Sequence, residues 1–159
     1  MDIPLVLAIW LHTVGLVIAW GYYGVLGRMV VPALEASLDG EAQARTLLSI
    51  ERRALPLVGL STLLFVVTGT YLLFVNAHYA GLGNFFANTW TTLMLLKHLV
   101  VVVLGGLAFA VDFFIRRASR AVTDGDRRSD IRLLRLSAEG ATGVGALMVL
   151  MTAAAQVGG

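Results

Sequence analysis

The sequence predicts an all-α integral membrane protein, an antiparallel four-helix transmembrane bundle with both chain ends on the outer side. Three observations lead there. Of the 159 residues, 58% are apolar and mean hydropathy is +0.82, whereas soluble domains carry roughly half apolar residues. Those residues gather in four blocks, each near the ~20 residues that a helix needs to cross about 30 Å of hydrocarbon. Eleven of the twelve Lys and Arg residues lie in or beside just two of the segments between blocks.

Residues 3–27 form the first span. This block has no basic start and outruns the apolar core of a signal peptide, so it reads as a retained helix. Pro32 breaks or bends the helix near its inner end, and Asp39-Gly40 reads as a turn. Residues 41–53 suit a surface helix with a Glu41/Arg45 pair four apart, and Pro56 suits the first turn of the second span, 55–75. Residues 76–89 carry no Lys or Arg. Trp90 opens the third span, 90–115, at an interfacial aromatic position. Asp124-Gly125-Asp126 signals a turn before the fourth span, 136–157. The whole chain, 1–159, is thus one transmembrane domain with long connections at 28–54 and 116–135. Those two hold the arginines, so the positive-inside rule makes them cytoplasmic.

The sequence has no cysteine, which removes disulfides, thiolate metal sites and cysteine nucleophiles. No phosphate loop, nucleophile with its base, or nucleic-acid surface is visible. What stands out is LLKHLV at 95–100, where Lys97 and His98 are the only ionisable residues between 94 and 111. Charge inside a bilayer costs about 3 kcal/mol on insertion scales and marks function by default.

At 1.5 Å per residue the depth of each polar group can be counted. His12 falls about 13 Å below the outer surface, His98 about 12 Å and Lys97 about 10 Å. Thr68, Thr70 and Tyr71 reach about 6 to 11 Å, Met148 and Met151 about 9 to 14 Å. All four spans therefore bring polar or soft ligand groups to one layer. A lone intramembrane histidine usually bonds a neighbouring helix, and a lysine can snorkel. Two histidines at one height instead suggest a shared site on the first and third spans. Lys97 and His98 point about 100° apart, so one of them faces it.

Two histidines on facing helices can supply both axial ligands of a haem iron. Gly15 and Gly69 lie near this layer and Gly105, Gly106, Gly140, Gly143 and Gly145 further along. They leave space either for close helix packing or for a flat macrocycle. Histidine with the thioethers of Met94, Met148 and Met151 can instead hold Cu(I). His78 reads as a solvated loop residue. Asp112 and Glu139 are placed to pair with Arg116, Arg117 or Arg135, and Trp20, Tyr22 and Tyr23 to pack or sit at the interface.

The segment LHTVGLVIAWGYYGVLGRMVVP, with an early histidine, a mid-helix tryptophan and an arginine at its inner end, resembles the first helix of HemJ-like and CopD-like bacterial membrane proteins. P…VVTG followed by W..LMLLKHLVVVVL is similar to the CopD pattern of a TG pair and a leucine-rich LLK helix. The resemblance covers roughly residues 8 to 115. It implies two functions. HemJ-like proteins bind haem b and oxidise protoporphyrinogen, and their histidine and lysine match His12 and Lys97. CopD-like proteins are associated with copper uptake or resistance at the bacterial inner membrane. His98 beside the lysine departs from both patterns.

The expected function is that of a small membrane cytochrome b, with haem held by His12 and His98 between spans one and three. Lys97, Gly15, Thr68 and Tyr71 would line that site, Lys97 answering a propionate or replacing a ligand. A quinone or soluble electron donor is then implied, besides lipid, in a bacterial or archaeal inner membrane. Assembly with further copies or with a larger membrane complex is equally compatible, and nucleic acid is not an expected partner. Alternatives are CopD-like copper transport using His12, His98 and the three methionines, HemJ-like protoporphyrinogen oxidation, and an accessory subunit whose polar layer only joins helices. Whether the chain is an enzyme depends on which of these holds.

Overall fold

The computed structural model describes residues 2–77, 79, 81, 83, 84 and 86–157, with side chains to residue 154. Helix α1 spans Ile3–Val25. Asp2 caps it by accepting the Leu5 N–H at 3.3 Å, and Pro4 sits in the first turn, where no intrahelical donor is needed. A π-helical turn, Leu26–Val30, leads into α2, Val31–Ser37. Pro32 explains that turn. It offers no N–H to the carbonyl of Arg28 and its ring crowds that oxygen. The backbone widens just ahead, and the Val31 N–H reaches back five residues to the Leu26 carbonyl.

Helix α3 runs unbroken over Gly40–Val75, with Asp39 as its N-cap accepting from Ala42 at 2.8 Å. Two expectations change here. The surface helix at 41–53 and the second span are one element, and Pro56 lies inside it rather than in a first turn. Arg52, whose carbonyl Pro56 leaves free, is exposed, so that oxygen has water within reach. The Glu41–Arg45 pair forms at 3.5 Å. Helix α4 is Thr89–Arg120, opened by a capping box in which Asn88 and Thr91 exchange bonds. Helix α5 is Asp124–Val157. The chain breaks just before Asp124-Gly125-Asp126. Thr123 caps α5 through the Asp126 N–H, so those three residues open the helix instead of forming the turn.

Among the described residues four helices are long and apolar enough to cross a membrane: Ile3–Ser37, Gly40–Val75, Thr89–Arg120 and Asp124–Ala154. Large apolar side chains line their outsides, Val102 at 73% and Phe109 at 70% exposure among them. Lipid tails are as apolar as these side chains, so such surface costs nothing in a bilayer. Helix α1 packs chiefly on α3 and α4 on α5, while α1–α5 and α3–α4 close the ring. This puts α1 and α4 on one diagonal. The tightest packing lies at the basic end, where Leu26, Val31, Leu47, Ile115 and Leu134 are almost fully buried. Ala44, Ala118 and Ala138 let the backbones close in there. Ion pairs tie the same end across helices: Glu51–Arg116 at 3.2 Å, Arg117–Asp130 at 3.2 Å and Glu35–Arg135 at 3.6 Å.

Candidate functional site

His12 lies in the α1–α3 seam, away from the basic end. Its Nδ1 is 2.9 Å from the Phe65 carbonyl and 3.2 Å from the Thr68 hydroxyl. A carbonyl can only accept, and the Thr68 hydroxyl already donates to the Leu64 carbonyl. Nδ1 therefore carries the proton, and the lone pair of the neutral ring is on Nε2. The same ring stacks on Phe65 with centroids 4.2 Å apart. Gly69 makes room for it, because a Cβ there would stand 2.8 Å from His12 Cε1. A backbone carbonyl that holds Nδ1–H is the usual way of fixing an imidazole with Nε2 ready to ligate.

One turn along α1, Gly15 meets α3 directly: a Cβ at Gly15 would lie 2.7 Å from the Ser61 carbonyl oxygen. Gly15 thus lets α1 and α3 approach closely, and Gly69 admits the His12 ring. Thr68, 8% exposed, belongs to the same seam. Tyr71 does not join it as a buried group; it is 39% exposed.

On α4, across the diagonal, Lys97 is partly buried. His98 is exposed, and its Nδ1–H bonds the Met94 carbonyl of its own helix at 2.6 Å. So of the two adjacent α4 groups the lysine is the more enclosed, while the His98 ring bonds its own helix on an exposed face. The physical reason is rotational: adjacent helical residues differ by about 100°, and α4 turns its position 97 inward. Met148 is 1% exposed inside the bundle, while Met94 and Met151 are partly buried. His78 lies outside the described residues.

Two polar contacts were not anticipated, the bond made by Trp20 and the place of Glu51 beside Arg116. Trp20 donates its indole N–H to the Thr142 carbonyl at 2.8 Å, across the α1–α5 seam. Gly145 admits that ring: a Cβ there would stand 2.5 Å from the indole. At the basic end, Arg116 bridges Asp112 at 2.8 Å and Glu51 at 3.2 Å, with Glu51 4% exposed. The signal for Glu51 was in the spacing. Ala44, Leu47, Glu51, Val58, Ser61 and Thr68 form one buried stripe of α3 at intervals of three, four and seven. The anticipated pairs Asp112–Arg116 and Arg135–Glu139 form, the second at 2.9 Å. Among the described residues no group of three or more His, Asp or Glu is gathered as a metal site.

Searches against family models, curated proteins and solved structures give no match to this chain.

Proposed function

We propose that this chain is a multi-pass membrane redox protein whose cofactor, haem b, is held through His12, with Lys97 as the cationic group across from it. The observation that carries this is the His12 ring itself, with Nδ1–H committed to the Phe65 carbonyl and a lone pair left on Nε2. Its donor chemistry fits a haem iron. His98 does not fit as a second axial ligand from the same chain, since it lies on the exposed face of α4. When bound, a haem supplies one-electron exchange. The residues do the rest: His12 holds, Phe65 and Thr68 fix the ring, and Lys97 offers a positive charge to a propionate. The basic end is taken to face the cytoplasm, which puts His12 in the outer half of the membrane.

The pairing of His12 with Lys97 also favours one resemblance over the other. HemJ-like proteins match at a histidine and a lysine in these two places, so protoporphyrinogen oxidation is the second reading. The visible spectrum of protein purified in detergent tests the first. A Soret band that disappears in His12→Ala and persists in His98→Ala and Met148→Leu is the expected result. Colourless protein carrying stoichiometric copper would overturn it in favour of metal transport. Wild-type protein holding neither would leave His12 as a joint between helices. Turnover of protoporphyrinogen, lost in Lys97→Met, would identify the second reading.

A further inference from the structure

At the basic end of the α3–α4 seam, three side chains that the haem reading leaves unused come together. Glu51 arrives from α3, Asp112 and Arg116 from α4. Glu51 Oε1 accepts from Arg116 Nη2 at 3.2 Å, while Oε2 is buried with no hydrogen-bond partner. The Asp112 carboxyl accepts Arg116 Nε at 2.8 Å, so one guanidinium holds both carboxyl groups. Two ionised carboxylates offer each other only acceptors. The missing donor between them is a proton.

Charge leads to the same place. Both carboxylates ionised against a single guanidinium leave one uncompensated negative charge in a seam where Glu51 is 4% exposed. Like charges sharing a buried site resolve this by retaining one proton. Arg117 and Arg120 line the same cleft as Asp112, but Arg116 is the arginine bonded to both carboxyl groups. From α1, Tyr22 and Tyr23 pack against the buried core of this end and bring no charge of their own as phenols. From α5, Asp130 is already engaged by Arg117 at 3.2 Å. On α3 itself, Arg52 and Arg53 are exposed. Access is graded: a cleft of about 670 Å³ is lined by Phe109, Asp112, Phe113, Arg116, Arg117 and Arg120 among others. The Asp112 side chain is 30% exposed to it and the Glu51 side chain 5%.

We propose that Glu51 and Asp112 form a proton-binding site in which one proton is held between two carboxyl groups, Arg116 is their common counter-ion, and Asp112 is the port to water. Protonation adds one proton to the pair and removes one negative charge; no other bond changes. The site stands on its own geometry and not on the cofactor reading.

Infrared spectroscopy of the full chain in bilayers tests it. The wild type should show the carbonyl stretch of a protonated carboxylic acid at neutral pH, moving down in D2O. Glu51→Gln and Asp112→Asn should each abolish that band, because a lone carboxylate is neutralised by Arg116. Arg116→Gln should extend the band to higher pH. Circular dichroism checks that each variant keeps its helices, and if one does not fold the other two decide. Absence of the band in the wild type, or its survival in both carboxyl variants, overturns the proposal. Loss of the band on adding sodium at constant pH overturns it too, in favour of a metal-cation site.

Discussion

His12 has one ring N–H, and the chemistry proposed for it comes from giving that hydrogen to the Phe65 carbonyl. The arrangement depends on Gly69, which has no side chain to fill the space of the ring. Gly69→Ala would set a methyl 2.8 Å from Cε1. Either the ring leaves its carbonyl or the helices separate, at a cost of about 1–3 kcal/mol for overpacking. Haem retention should fall while helix content by circular dichroism stays unchanged; unchanged haem retention would remove Gly69 from the site. Gly15→Ala meets a backbone oxygen at 2.7 Å, which has less freedom to yield than a side chain. Its effect should appear as a lower melting temperature in detergent. That His12 sits on an apolar helix away from the basic end was legible from counting residues along that helix. Which of Lys97 and His98 turns inward was not, because counting gives depth along the axis but leaves the rotation of α4 unset.

At the scale of an element, the apolar blocks announce that helices exist but not where they stop. Helix α3 continues through Pro56 because the carbonyl that the proline strands belongs to exposed Arg52. The first helix continues past residue 27 because a π turn absorbs the conflict at Pro32. Both outcomes depend on what surrounds the freed carbonyl, which a linear pattern does not contain. The buried stripe of α3 was readable in principle, since Glu51 falls in register with Ala44 and Val58. The α1–α5 seam supplies a test of element packing. Gly145→Ala would place a Cβ 2.5 Å from the Trp20 indole and displace it from the Thr142 carbonyl. Tryptophan fluorescence should shift and the melting temperature should fall; Trp20→Phe should lower it too, through loss of the hydrogen bond, worth about 1 kcal/mol, and of the ring volume that phenyl leaves unfilled. Equal stability of Gly145→Ala and wild type would show that the seam has slack.

For the whole molecule, the basic end is the fixed end. Its core, its cross-helix ion pairs and most of its fully buried side chains coincide there. The absence of cysteine makes orientation testable without background. A single cysteine at exposed Ser129 should react with a membrane-impermeant thiol reagent only from the cytoplasmic side, and one at exposed Ala87 only from the opposite side. The reverse pattern would move His12 to the inner half of the membrane and invert the topology. That four helices long and apolar enough to cross a membrane exist among the described residues was legible from composition and block length. How they are arranged in a ring was not, since four apolar helices can be ordered in several ways and the choice lies in a few small residues and ion pairs.

Because α1 is zipped to α3 and α4 to α5, the first 75 residues and the last 70 or so make two self-contained helical hairpins joined by one short strap. Each hairpin can enter a bilayer as a unit. Severing the strap should therefore leave two fragments that find each other when made together in one cell and co-purify. They would be gripped at the arginine-rich end, as a pair of tongs is held at its hinge.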